Sequence, residues 1–109
     1  MMTQASVTNG SQRQKIMFKC TSSDQSPLLV IGDVPELGNW DTGQAIEMQC
    51  QTSLQGSCEW TAVAEIPLGT TIEYKFIKKT DSGIRWESGF NHRHTVIPGN
   101  YTLTDTFRE

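Results

Sequence analysis

The sequence predicts an all-β fold, an antiparallel two-sheet β-sandwich of immunoglobulin-like type with seven to eight strands. Three observations support this prediction. Short runs of alternating apolar and polar residues recur along the chain, turn-forming residues separate these runs at regular intervals, and no segment has the periodicity of a convincing helix. Many short strands with regular turns are typical of a sandwich and not of an open sheet.

The first four predicted strands differ in how they should be buried. They cover residues 16–20, 28–31, 46–50 and 60–64. The segment 28–31 is apolar at every position, which predicts a strand in the centre of a sheet. The other three alternate, which predicts one buried face and one exposed face.

The clearest strand covers residues 71–79. Tyr74 and Phe76 point to one side, so Lys75 is predicted to lie on the face away from the core. The turn formers at residues 81–83 then indicate a hairpin. Further strands are predicted at residues 84–87, 94–97 and 101–107.

Length and charge restrict the classes of protein. At 109 residues with a net charge of -3, the chain has the size of one domain and lacks the basic balance of a nucleic-acid binder. No apolar run approaches the ~18 residues that a membrane-spanning helix needs. We therefore expect a monomeric protein with neither nucleic acid nor membrane as a partner.

The N-terminal residues 1–11 are polar, with hardly an apolar anchor, and predict a disordered segment before a domain at residues 12–109. This segment lacks the basic start and apolar stretch of a secretory signal. The three cysteines, Cys20, Cys50 and Cys58, are odd in number and cannot all pair within one chain. We expect three reduced thiols, with a Cys50–Cys58 disulfide as the alternative, and a cytoplasmic location over a secreted one.

Two segments place a tryptophan among polar and turn-forming residues. Residues 32–41 contain Trp40, and residues 86–93 begin with Trp86. Such a ring either folds back as a lid over the edge of the sandwich or contacts a ligand. A sugar-binding surface needs flat apolar plates for the C–H face of a pyranose and polar groups at the rim for its hydroxyls. The two segments fit that requirement.

Four ordered motifs resemble the family 20 carbohydrate-binding modules, the starch-binding domains known from fungal glucoamylases. The motifs are Glu36-Leu37-Gly38-Asn39-Trp40-Asp41, the stretch from Pro67 to Ile77, Trp86-Glu87-Ser88 with Asn91, and Thr104-Asp105-Thr106-Phe107-Arg108. The resemblance implies an open-sided antiparallel sandwich without enzymatic activity. It further implies binding of α-1,4-glucans, namely starch, glycogen or maltooligosaccharides, and a catalytic domain as a candidate fusion partner.

The resemblance also implies which residues bind the glucan. The better-matched family site uses two tryptophans, a lysine, a glutamate and an asparagine, which fall on Trp40, Lys75, Trp86, Glu87 and Asn91. In that assignment the two indoles stack on consecutive glucose units, and their mutual angle selects a curved α-1,4 chain. The three polar side chains bond the sugar hydroxyls.

The family's second site is matched less well. It uses tyrosines in two loops and a tryptophan that matches Trp60, but residues 22–25 and 51–54 of this chain contain no tyrosine. Trp60 is therefore either part of a candidate second glucan site or a structural residue.

Competing functions have weaker support. His92 and His94 could share a strand face, but no cysteine or acid pair stands beside them at ligand spacing, so we expect no metal and no cofactor. Asp41, Glu73 and Glu87 are glycosidase candidates by residue type, but a chain of this length leaves little room for a deep cleft. The alternative that remains is a protein-interaction or regulatory adaptor module on the same immunoglobulin-like frame.

Overall fold

The computed structural model describes residues 12–54 and 57–109, and nine strands lie in this part of the chain. The strands are β1 Arg13–Ser22, β2 Leu28–Gly32, β3 Ile46–Glu47, β4 Gln49–Leu54, β5 Ser57–Pro67, β6 Thr71–Thr80, β7 Gly83–Trp86, β8 His92–Thr95 and β9 Thr102–Thr106. Short 3-10 helices at Pro35–Leu37 and Thr42–Gln44 follow β2. The predicted all-β sandwich is confirmed, with nine strands in the described residues where seven to eight were expected. The predicted disordered segment 1–11 lies outside the described residues.

The strands form two sheets. One sheet has four strands in the order β4-β5-β1-β9, and the other has five strands in the order β3-β2-β6-β7, with β8 also paired to β6. Pairing is antiparallel except between β1 and β9, which run parallel. Because β7 and β8 both pair with β6, the residues between them project from one edge of the five-stranded sheet.

The core lies between the two sheets. Alternate residues of β1, β5 and β6 point inward, so that Phe18, Trp60 and Phe76 join one apolar cluster. Burial of each such large side chain stabilises the fold by about 1.5–3 kcal/mol. This cluster explains the period-two pattern in the sequence.

A second, smaller apolar cluster lies on the opposite face of the five-stranded sheet, which we call the outer face. Leu29 and Ile31 of β2 stand beside Ile77 of β6, and all three are buried although they point away from the core. Lys75 shares this outer face because it lies two residues before Ile77. Trp40 packs against the cluster and helps to cover it.

Two strand predictions need correction. The run at residues 46–50 is divided between β3 and β4, which belong to different sheets, because the chain crosses from one sheet to the other around Met48. The strand expected at residues 94–97 begins earlier, at His92, where the pairing with β6 starts opposite Tyr74. In the run 46–50 only Met48 is buried, and the alternation in the sequence did not indicate the point at which the chain changes sheet.

The expectation of three reduced cysteines is wrong. Cys50 and Cys58 form a disulfide between β4 and β5, which is the alternative considered for the sequence. Cys20 is free and buried, and burial raises the pKa of its thiol to about 12. Disulfides persist mainly in oxidising compartments, so the pairing removes one of the two arguments for a cytoplasmic location.

Among the described residues, none of the helices has the length and apolar character needed to span a membrane.

Candidate functional site

The loop after β2, residues 33–41, places Trp40 on the outer face, where the ring packs against the smaller apolar cluster. Gly38, Asn39 and Trp40 have φ angles of 88°, 51° and 64°, all in the left-handed region. The Trp40 N–H donates to the carbonyl of Gly32 at 2.9 Å, which closes the loop on the end of β2. A bulky residue in this region is strained by about 1–3 kcal/mol, and such strain is concentrated at functional sites.

Trp40 and Trp86, which we call the tryptophan pair, meet on the outer face. Their ring centroids are 6.2 Å apart and their planes are inclined by 42°. Trp86 stands at the end of edge strand β7, opposite Ile77, and remains 41% exposed. Trp40 is half-buried because it also packs on the apolar cluster beneath it. The pair therefore presents two apolar planes that meet at an angle, a surface suited to a bent ligand and not to a flat one.

Polar groups lie beside the tryptophan pair. The half-buried Lys75 lies on the same face, and within residues 12–54 and 57–109 no hydrogen bond or ion pair engages its ammonium group. The Asn91 side-chain amide donates to Oε1 of Glu73 at 2.9 Å, and Glu73 shares the outer face with Lys75. Glu73 was not assigned to the glucan site from the sequence, although its alternation with Lys75 along β6 is a signal that could have indicated it.

Glu87, the glutamate assigned to the glucan site, makes internal contacts in this structure. Its side chain is fully buried and points inward, whereas the preceding Trp86 points outward. Oε2 of Glu87 accepts hydrogen bonds from the Phe76 N–H at 2.9 Å and pairs with Nε2 of His92 at 2.7 Å, while Oε1 accepts from Nε of Arg108 at 3.1 Å. Both oxygens of Glu87 are therefore held inside the protein, and the assignment of this residue to a sugar hydroxyl stays a prediction.

The pKa of Glu87 reflects these contacts. Burial alone would raise the pKa, since a carboxylate loses its hydration inside the protein. The hydrogen bonds from His92, from the Phe76 N–H and from Arg108 outweigh that effect, and the pKa lies below its ordinary value. Glu87 is thus an ionised, internally paired carboxylate at neutral pH.

The loop between β7 and β8, residues 87–91, is fixed from beneath by Arg108. Besides Glu87, the Arg108 guanidinium donates to the Phe90 carbonyl at 2.6 Å, and the Arg108 carbonyl accepts from the Ser88 N–H at 2.9 Å. Gly89 has a φ of 87°, and a Cβ at this position would lie 3.1 Å from the guanidinium. Arg108, the last residue of the fourth motif, therefore holds the loop between β7 and β8 in place, a role that the resemblance did not indicate.

Trp60, the candidate for a second site, is placed in the core. It is 8% exposed and lies between Cys50 of β4 and Cys20 of β1 in the four-stranded sheet. Its Nε1 has no hydrogen-bond partner in the part of the chain that the structure describes. The ring faces the other sheet and offers no open plate to a ligand in this structure.

His94 and Asp41, which were considered for a metal site and for a glycosidase, make internal contacts. His94 pairs with the Tyr101 hydroxyl at 2.9 Å, and burial lowers the pKa of this histidine. The Asp41 carboxylate caps the second 3-10 helix by accepting from the Gly43 N–H. Across the described ranges, no group of three or more His, Cys, Asp or Glu side chains is arranged to hold a metal ion.

Comparisons with known proteins agree on one family. The family model described as a starch binding domain matches residues 13–106. A cyclomaltodextrin glucanotransferase from Thermoanaerobacterium thermosulfurigenes is 46% identical over 73 residues, which cover 67% of this chain and 10% of that protein. The chain thus spans about a tenth of the length of that relative.

Solved structures show the same fold. A family 15 glucoamylase from Hypocrea jecorina superposes with a TM-score of 0.79 at 27% identity, over 89% of this chain and 17% of that chain. A family 20 carbohydrate-binding module of a maltotetraose-forming amylase from Pseudomonas saccharophila superposes with a TM-score of 0.65 at 23% identity, over 85% of this chain and 99% of that chain.

These findings define a carbohydrate-binding module on a β-sandwich frame, the module from the family model and the frame from the solved structures. The chain belongs to the starch binding domain family, the family 20 carbohydrate-binding modules, as its motifs predicted. Its ligand class is the glucan polymer of starch.

Proposed function

We propose that the outer face of the five-stranded sheet binds one α-1,4-glucan chain, with neighbouring glucose units stacked on Trp40 and Trp86. The observation that carries this proposal is the geometry of the tryptophan pair, two indoles 6.2 Å apart and inclined by 42°. An α-1,4 chain is curved, so successive sugar faces turn relative to each other, and two inclined plates match that turn. A straight β-linked chain fits coplanar plates.

The polar groups beside the tryptophan pair orient the sugar through its hydroxyls. Lys75 has an ammonium group without an internal partner among the described residues, so it can donate to a sugar hydroxyl without breaking an existing contact. Asn91 and Glu73 are already joined at 2.9 Å and form a fixed polar edge. Glu87 acts indirectly in this proposal, because its buried carboxylate holds the chain that follows Trp86.

The expected affinity is modest. Aromatic rings bury ~150–250 Å² each, and at ~25 cal/mol/Å² two partly covered indoles contribute several kcal/mol in total. The costs of association and ordering remove much of this gain, which leaves weak binding. A single site therefore binds with a Kd on the order of μM to mM, and binding to a polymer becomes effective through many sites acting together.

We further propose that glycogen is a ligand alongside starch, since both expose the same α-1,4 segments to the two plates, and that the module is monomeric. The relatives support a fused or associated enzyme that acts on glucans, because they are whole enzymes and the matched part is about a tenth of one of them. The module would then hold such an enzyme on its polymer.

A pull-down on insoluble starch tests the proposal. Trp40→Ala and Trp86→Ala should each remove most of the bound protein, whereas Val63→Ala should bind like the parent. Val63 is a suitable control because it is 43% exposed and lies on the four-stranded sheet. If the parent and both tryptophan variants bind starch equally well, the stacking proposal is wrong. If none of them binds starch, a protein-interaction module is favoured.

A further inference from the structure

We propose that Phe90 is a third apolar contact of the glucan site, reached only by chains longer than those that cover the tryptophan pair. This inference rests on the proposed function, since it extends the same site. It adds a residue to which neither the motifs nor the comparisons assign a role.

The exposure of Phe90 is exceptional within the described residues. Its side chain is 91% exposed, while the next most exposed large apolar residue, Ile97, is 55% exposed. Single exposed apolar residues are common on protein surfaces and need no explanation by themselves. Two further observations, the fixed backbone and the position of the loop, distinguish Phe90 from such a residue.

The backbone that carries Phe90 is held in place. Its carbonyl accepts from the Arg108 guanidinium at 2.6 Å, and Arg108 is itself bound to the buried carboxylate of Glu87 at 3.1 Å. Before and after Phe90 in the chain, the Ser88 N–H donates to the Arg108 carbonyl and the Asn91 side-chain amide donates to Glu73. An apolar group on a preorganised backbone loses little conformational freedom when a ligand covers it, which favours binding.

The loop also stands where a longer glucan would pass. Trp86 lies opposite Ile77 of β6, and His92 lies opposite Tyr74, so residues 87–91 project between two nearby points of the same strand. From Ile77 to Glu73 the strand advances by about 13 Å at ~3.3 Å per residue. A glucan that leaves the tryptophan pair and passes Lys75 reaches the edge formed by Glu73 and Asn91, and Phe90 is the residue before Asn91 in the chain.

A dependence on ligand length follows from this layout. Maltose covers the two indoles and ends before the loop. Maltoheptaose continues along the outer face and can cover the phenyl ring, so only the longer sugar gains from it. Phe90 then makes the module prefer long glucan segments to the short products of their hydrolysis.

Isothermal titration with maltose and with maltoheptaose tests this. Phe90→Ala should weaken maltoheptaose binding by about five- to tenfold and leave maltose binding unchanged, because hot-spot aromatics dominate binding surfaces. Phe90→Trp should keep or strengthen maltoheptaose binding. Ile97→Ala is the matched control, an exposed apolar residue elsewhere, and should bind both sugars like the parent.

The outcomes separate this inference from the function on which it rests. If Phe90→Ala binds maltoheptaose like the parent, or if it loses both sugars equally, Phe90 is not a contact for long chains. If the parent binds neither sugar, or if Trp86→Ala binds like the parent, the stacking function itself is wrong. Thermal unfolding of each variant should give the parent's Tm, because the Phe90 ring is exposed and the Trp86 ring is partly exposed. An unchanged Tm confirms that only binding has changed.

Discussion

Trp86 and Trp60 are both strand residues in this small domain, yet they occupy opposite environments. Trp86 ends edge strand β7, where the chain leaves the sheet, and 41% of it is exposed beside Trp40. Trp60 lies in the interior of β5, with β4 on one side and β1 on the other, and it is 8% exposed. The same side chain is thus a candidate ligand platform in one sheet and part of the core in the other. The position of each tryptophan in its sheet, and not the residue type, therefore decides whether the ring is exposed or buried.

The two regions also differ in how stability is distributed. Around Trp86 the structure includes a strained backbone at Trp40 and a buried carboxylate at Glu87, both of which oppose folding unless their surroundings compensate. Around Trp60 the structure has apolar packing and a disulfide, both of which stabilise the fold. The strained backbone at Trp40 and the buried carboxylate of Glu87 both belong to the region of the candidate binding site, and such features are typical of functional regions.

The largest effect is expected from Trp60→Ala. Removal of a large buried aromatic leaves a cavity and should lower the free energy of unfolding by about 3–5 kcal/mol. Trp86→Ala should change stability little, since its ring is partly exposed. Urea unfolding of both variants measures the difference. If Trp60→Ala keeps the parent's stability but loses affinity for maltoheptaose, Trp60 belongs to a second glucan site and the contrast between the two regions fails.

The next effect concerns Glu87. Replacing it with Ala removes the acceptor for Arg108, His92 and the Phe76 N–H and should destabilise the fold by about 3 kcal/mol. Glu47→Ala is the control, because Glu47 is an exposed carboxylate whose ion pair with Lys79 contributes about 0–1 kcal/mol.

Glu87 also predicts a pH dependence. Its pKa in the folded state is below the unfolded value of about 4.3, so its contribution is complete above that value and is lost as pH falls through the lowered pKa. The parent should therefore lose stability on acidification below about pH 4 more steeply than Glu87→Gln does. Unfolding curves at several pH values measure this, and parallel pH profiles for the two proteins would contradict the assignment of a buried, ionised Glu87.

A third prediction concerns the disulfide near Trp60. Cys50 and Cys58 are separated by 8 residues in sequence, and for a loop of that size the chain-entropy estimate of the stabilisation is about 2–3 kcal/mol. The double variant Cys50→Ser with Cys58→Ser should lose that much stability and keep the parent's affinity for glucan, because the bond lies in the other sheet. A loss of affinity in the folded double variant would show that the two regions are coupled.

Much of the fold could be predicted because apolar alternation reports directly on burial. The strands around Phe18, Trp60 and Phe76 were found in this way, and their inner faces are those expected. The sheet change at Met48 could not be found, since a run of alternating residues has the same pattern whether it stays in one sheet or crosses to another. The parallel pairing of β1 with β9 is a tertiary feature with no local signal.

The site was predicted in part for a similar reason. A resemblance identifies residue types at positions, but it does not state which way each side chain points. Trp86 and Glu87 are neighbours in sequence, and successive side chains of an extended chain point to opposite faces. The sequence therefore contained a signal that both could not face one ligand, and the structure places them on opposite sides. The role of Arg108 depends on the chain terminus meeting the loop 87–91, which only the tertiary structure shows.

The smallest effect, and the sharpest test of the outer face, compares two lysines of β6. Lys75 and Lys79 lie on the same face, four residues apart, but Lys79 is ion-paired with Glu47 at 3.1 Å whereas Lys75 has no such partner among the described residues. If Lys75 donates to a sugar hydroxyl, Lys75→Met should weaken maltoheptaose binding by about fivefold, equivalent to about 1 kcal/mol, while Lys79→Met leaves it unchanged. Methionine keeps the apolar stem of lysine, so the change isolates the ammonium group. Because the sugar is neutral, the loss should persist at high salt, which screens charge attraction but not a direct hydrogen bond. Equal affinities of the two variants in titration calorimetry would mean that the glucan does not reach Lys75, and the proposed path from the tryptophan pair towards Asn91 would have to be redrawn.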